Sequence, residues 1–466
     1  MAQAISIYEV GSEDFTAFQA RLKGRAENAD AELGSRPAEL LERARATGDG
    51  PFVAFAEEFY RDLPPTATAT VQRVIAAVQK GSDEAVCHLA RLFDGKELPL
   101  ARMKVSKAEL MQFAAEADAD LLRTCREQVL PRLRRFHEKQ KIAPWQIEEQ
   151  GGSVGVRIQP LARVGLYVPG GSAFYPSTLM MTAVPAQVAG VGEIAVFTPQ
   201  GGLEANPLLA ALLLELKLEE VYRIGGAQAV AAAALGTPKV ARVDKIVGPG
   251  NIFVAQAKRQ LSGRVGIDSF AGPSEVVIVF DGGADPACVA ADLLAQAEHD
   301  ALAAAVAVTD NADAAAAVQA QVDAQLAALP RAGIAARSLR DFGGVIVAPS
   351  KGFALRIADS LAPEHLELLT ETAEKDSAMV RNAGAVFVGA FAPEAFGDYC
   401  AGPNHVLPTA GTARFAQALS VADFTRHVSI IKGSREMLAA NRDAIVKLAR
   451  AEGLEAHARS VEKRFS

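Results

Sequence analysis

Nothing in this chain marks it for a polyanion, a bilayer or an oxidising compartment. It has no block of about five or six like charges, and its formal charge is −7, which argues against nucleic acid as a partner. Its apolar runs are short. The nearest to a membrane span, Leu208 to Leu216, falls well below the ~18 residues that a crossing needs. The four cysteines, Cys87, Cys125, Cys288 and Cys400, lie far apart without a CxxC pair. With no secretory-type start, they are expected to be reduced thiols of a cytoplasmic protein. Cys400 stands two residues after Asp398 but has no clear basic partner, so it reads as a small packing thiol and not as a nucleophile.

What is present is length and apolar content. At 466 residues, half of them apolar, the chain exceeds what one hydrophobic core usually organises, so two or more domains are expected. From Val154 to Val388 short β-branched runs alternate with Ala-rich helical stretches, which is the pattern of an α/β fold with mostly parallel strands. Strands are expected at Gly165–Val168, Glu193–Thr198, Val221–Ile224, Lys245–Val247, Glu275–Phe280, Ala305–Thr309, Gly344–Ala348 and Ala385–Val388, with helices such as Pro176–Val191, Ile252–Leu261 and Pro286–His299 between them. Two doubly wound units suit this series better than one. The turn-rich Ser269–Ser274 marks the break between them. Residues 1–65 read as a helical extension, 66–166 with 274–420 as one discontinuous unit, 167–273 as the other, and 421–466 as a helical arm. The basic stretch Arg123–Lys141 is interleaved with Leu130, Leu133 and Phe136, the pattern of a solvated helix face.

The chemistry concentrates in four cassettes. Four of the seven histidines fall in Gln296-Ala-Glu-His299, Pro363-Glu-His365, Gly397-Asp398 through His405, and Glu452 through His457, each beside a carboxylate. Gln296 and His299 are expected to leave one helix face within a turn, and with Asp398 and His457 they make an N/O donor set without thiolate, which suits zinc or, less selectively, manganese or cobalt. Glu364 and His365, adjacent after a proline, offer one cleft a carboxylate and an imidazole, the makings of an acid/base pair. Three glycine-rich turns, Val168-Pro-Gly-Gly171, Ile224-Gly-Gly226 and Val247-Gly-Pro-Gly-Asn251, each follow a strand and precede a helix. Backbone amides at such junctions can hold phosphate or carboxylate oxygens, although none is the GxGxxG fingerprint.

Taken in order, Arg163–Gly171, Gly225-Gly-Ala-Gln-Ala229, Asp244–Asn251, Ala271-Gly-Pro-Ser-Glu275 and the four cassettes resemble the histidinol dehydrogenase family over roughly residues 150–460. The resemblance implies two Rossmann-like units and oxidation of L-histidinol through histidinal to histidine, with two NAD reduced in succession. It implies Zn2+, one ion per subunit, on Gln296, His299, Asp398 and His457, the last crossing between subunits of a homodimer that exchanges C-terminal arms. His365 would be the base and Glu364 the activator of water. The metal ligands, His365, Ser274 and Glu452 would hold substrate, while Tyr167, Gln228 and Asn251 would contact NAD.

Against the family pattern the region before Trp145 is long, the loop from Leu261 to Ile267 is short, and Phe174-Tyr175 is bulky. These departures leave open a paralogue that oxidises another small polyol, such as a sulfonated one. A zinc hydrolase would also use a metal beside a Glu-His pair, but it would leave the NAD motifs idle.

Overall fold

The structure is a computed structural model and describes residues 3–28, 36–170, 175–270 and 272–466. Two six-stranded sheets and one three-stranded sheet organise it. The first sheet runs β1 (Ile7–Glu9), β12 (Gly344–Val347), β11 (Ala304–Thr309), β10 (Glu275–Phe280), β13 (His365–Leu369) and β14 (Ala385–Val388), with every neighbouring pair parallel. Its inner strands are continuous apolar sequence, AAVAVT in β11 and EVVIVF in β10, because helices cover both faces.

The second sheet runs β2 (Lys104–Val105), β7 (Glu220–Tyr222), β6 (Glu193–Phe197), β5 (Arg163–Tyr167), β8 (Lys245–Val247) and β9 (Gly266–Ile267), parallel except for β2. Strand order reverses between β5 and β8. A doubly wound sheet opens a ligand crevice beyond the strand ends at such a point.

The third sheet is antiparallel. β3 (Trp145–Glu149) and β4 (Gly152–Pro160) form a hairpin whose two turn residues, Gln150 and Gly151, both have positive φ, and β15 (Thr425–Lys432) pairs with β4 along its whole length. The helices Arg435–Ala451 and Glu455–Glu462 follow from β15. The arm expected to be helical throughout therefore contains a strand, after one short 3-10 turn at Val421–Phe424.

Sheet membership corrects the expected division of the chain. β2 and β5 belong to the second sheet, so the segment 66–166 goes with 167–273 and not with 274–420. The helix Ala67–Asp94, capped by Thr66 and closed by Gly95 in the left-handed region, packs on the helices Gly226–Leu235 and Ile252–Leu261 of that unit. Residues 1–65 are also more than a helical extension, since β1 is an edge strand of the first sheet. Within Arg123–Lys141, Leu130 and Leu133 are buried while Arg132, Arg134 and Arg135 face solvent, as the interleaving predicts, but Phe136 is exposed with them. All four cysteines are free, and Cys400 packs against a hydrophobic core. No helix among the described residues is long and apolar enough to cross a membrane.

Candidate active site

The N-terminal ends of β10 and β13 in the first sheet face the C-terminal ends of β5 and β8 in the second across a cleft of about 950 Å³. That volume suits a dinucleotide and a small substrate together. Ser274, His299, Glu364, His365 and Asp398 line one end, and Tyr167, Gln228 and Asn251 line the other.

Glu364 and His365 are both nearly fully buried at the head of β13. The backbone N–H of Glu275 donates to Glu364 Oε2 at 3.0 Å, and His365 Nδ1 lies 3.3 Å from the Glu275 carbonyl oxygen. Parallel pairing of β10 with β13 thus fixes both side chains through one residue. Burial pushes the Glu364 carboxyl up to about 7. Burial alone would lower His365, but Glu394, Glu364 and Asp398 outweigh it and hold the imidazole at about 10. Its Nδ1 is 3.7 Å from Glu394 Oε1, and its Nε2 is 3.7 Å from Asp398 Oδ1 and has no hydrogen-bond partner.

The helix from Pro286 ends at Ala297, so Gln296 lies in its last turn and His299 just beyond it, where the His299 N–H donates to the Gln296 carbonyl at 3.2 Å. The two do not share a helix face as the spacing suggests. Gln296 is completely buried, and neither its Oε1 nor its Nε2 has a partner. A buried amide left unpaired on both atoms is a strong sign of a ligand. His299, Glu394 and Asp398 bring ligand atoms within 4.8 Å of one another. Burial lowers His299, which keeps its imidazole neutral, while Asp398 stays below the usual carboxylate range against its burial because His365, His405 and His299 surround it. Neutral imidazole, carboxylate and amide are donors that zinc accepts.

One residue of the site, Glu394, escapes the sequence reading, and a second, His405, is singled out there without a role. Glu394 is buried at 3% exposure, is pushed up to about 8 chiefly by that burial, and donates its backbone N–H to Glu367 Oε1 at 2.6 Å. The available signal was its position four residues before Asp398, which puts both carboxylates on one face of the short helix Glu394–Tyr399. His405 also lines the cleft, with Nδ1 3.2 Å from the Asp398 carbonyl oxygen.

At the other end the loops are shaped for close approach. Gly248 has φ +115°, and a Cβ there would stand 2.2 Å from the Tyr167 carbonyl oxygen. Lys258 and Asp268, a buried ion pair, bind the same glycine: Nζ donates to its carbonyl at 2.8 Å and Oδ2 accepts its N–H at 2.7 Å. Tyr167 accepts the N–H of Gly226 at 2.9 Å, Asn251 caps the helix Ile252–Leu261, and Gln228 presents a buried, unpartnered Nε2. Tyr175 borders the cleft, while Phe174 lies outside the described residues.

Glu452 and His457 do not reach this cleft. Both are exposed, on the arm that follows β15.

Residues 61–465 match the family model described as histidinol dehydrogenase. The chain belongs to the histidinol dehydrogenase family. It is 49% identical over 400 residues to the histidinol dehydrogenase of Moorella thermoacetica, covering 85% of this chain and 94% of that one, and 48% identical over 396 residues to that of Gluconobacter oxydans, covering 85% and 92%. The crystal structure of the Elizabethkingia anophelis histidinol dehydrogenase superposes with a TM-score of 0.80 at 34% identity, covering 85% of this chain and 91% of that chain. Membership makes the chain an oxidoreductase, and nothing among these relatives supports the alternative of another polyol. The family match starts at residue 61, so the helices Arg36–Arg45 and Gly50–Tyr60 precede it.

Proposed function

We propose that the chain oxidises L-histidinol through L-histidinal to L-histidine, reducing two NAD in succession at one cytoplasmic site. The observation that carries this reading is Glu364 and His365 at the head of β13, beside the neutral His299, the ionised Asp398 and the unpaired amide of Gln296. Gln296, His299 and Asp398 would hold one zinc ion per subunit, the fourth ligand being His457 of the partner subunit. Bound zinc would anchor the substrate through its amino and imidazole nitrogens.

Within the cleft, His365 takes the hydroxyl proton while the carbinol C–H leaves as hydride to the nicotinamide. The surrounding carboxylates stabilise the imidazolium that forms, so His365 acts as base from the fraction that has lost its proton and must release the proton it gains to solvent before the second oxidation. In the second oxidation Glu364, with a carboxyl near 7, takes a proton from the water that adds to the aldehyde, and His365 takes the hydrate proton as the second hydride departs. Tyr167, Gln228 and Asn251 would contact NAD. The cleft beside these loops has the volume for a diphosphate, and the buried, unpaired Nε2 of Gln228 is a donor without a protein partner. Ser274 would hold substrate, as would the partner subunit's Glu452 through its imidazole N–H.

The homodimer with exchanged arms is supported by the arm's exposure. Trp145 and Ile147 on β3 and Ile431 on β15 are 55%, 57% and 77% exposed, an apolar face that one subunit leaves uncovered. Counting NADH formed per mole of L-histidinol with zinc-loaded protein tests the function. Two NADH with histidine as product is expected; one or none defeats the proposal.

A further inference from the structure

The helices Arg36–Arg45 and Gly50–Tyr60 lie before the family match but are built into the second-sheet unit. Asp49 caps the second of them, and Phe52, Ala56 and Phe59 are buried to 3% exposure or less in the core shared with the helix Ala67–Asp94. Their other side borders the cleft, where Arg36, Leu40 and Tyr60 share one cavity with Gln228 and Asn251.

Arg36 is the informative residue. Its guanidinium carbon lies 5.7 Å over the ring of Phe253, the second residue of the helix Ile252–Leu261. A guanidinium held near a ring by cation–π attraction spends none of its N–H groups on that contact, so they remain available for phosphate oxygens. The N-terminus of that helix, preceded by Gly248-Pro-Gly250, opens into the same cavity and carries positive partial charge. Gln228, 1% exposed, lines this cavity too, and its buried Nε2 has no partner. Cation and helix end thus lie together, and the unpaired amide belongs to a residue that lines the same cavity.

We propose that Arg36 is a further cofactor-binding residue, pairing with a phosphate of the adenosine diphosphate half of the dinucleotide, and that the two helices before the family region form a wall over that half. The inference rests on the NAD reading above and deepens it.

The test is calorimetric titration of the zinc-loaded, full-length protein with NAD and with ADP-ribose, using wild type, Arg36→Ala, Arg36→Lys and a control, Arg45→Ala. Arg45 is exposed and pairs with Glu57 at 2.9 Å away from the cleft. Arg36→Ala is expected to weaken NAD and ADP-ribose alike by roughly tenfold, Arg36→Lys to recover part of the loss, and Arg45→Ala to bind as wild type, with histidinol affinity unchanged throughout. Wild type that binds NAD beside an Arg36→Ala variant within about twofold of it overturns the role of Arg36 alone. Wild type that binds neither nucleotide overturns the cofactor reading and this inference together.

Discussion

Arg25 and Glu275 form an ion pair at 2.6 Å that joins the helix Glu13–Asn28 to the first residue of β10, two positions 250 residues apart. Glu275 is also the residue whose backbone holds Glu364 and His365, and Arg25 further donates to the Pro273 carbonyl at 3.0 Å. Arg25→Ala would leave a mostly buried carboxylate without its cation, at a cost of about 3 kcal/mol. Urea unfolding should show that loss, and an unchanged midpoint would mean that the pair holds nothing in place.

Gln296 points the other way. Its amide is buried without a partner, so Gln296→Met should stabilise metal-free protein by about 1–2 kcal/mol while lowering the zinc retained after dialysis. Thermal melts with chelator, paired with metal analysis, read both effects. A variant that is less stable and keeps its zinc would remove Gln296 from the ligand set.

Glu367 gives a pH prediction. Burial, reinforced by Asp292, raises its carboxyl from 4.5 to about 9, so between those values the folded chain binds a proton that the unfolded chain has released. Stability from this group is therefore present at low pH and lost as pH rises through that window. Glu367→Gln keeps an oxygen for the Glu394 N–H and removes the titration. Its melting temperature should gain on wild type progressively from about pH 5 to pH 8, whereas a constant difference would show that Glu367 titrates normally.

A shared site can be read by mixing inactive chains. In a heterodimer of His457→Ala with His365→Ala, one of the two sites would contain only native residues if arms exchange. Random assortment should then restore about a quarter of wild-type activity. No recovery after verified subunit exchange would place His457 in its own subunit's site.

The legible parts of this fold are those where one strand or helix carries its own signal. β8, β10 and β14 lie at the bounds their apolar runs predict; in β8 and β10 the run is continuous because the strand is buried, while β14 is a half-exposed edge strand. β1 is three residues long and finds its partner, β12, more than 300 residues away, so no local pattern announces it. β15 went unread because its residues are mostly exposed and no apolar alternation sets it apart from the helices that follow. In the site, adjacency made Glu364-His365 visible. Glu394 needed the helical turn that sets it beside Asp398, and Arg36 needed tertiary packing that no spacing encodes.

The chain has one tryptophan, and Trp145 stands 55% exposed on β3, away from the residues that line the cleft. Its indole emission should therefore be red-shifted while the three-stranded sheet faces water and move to the blue when another surface covers it. Intrinsic fluorescence followed through a dilution series becomes an optical gauge of that sheet's cover, separate from the absorbance of NADH by which turnover is followed.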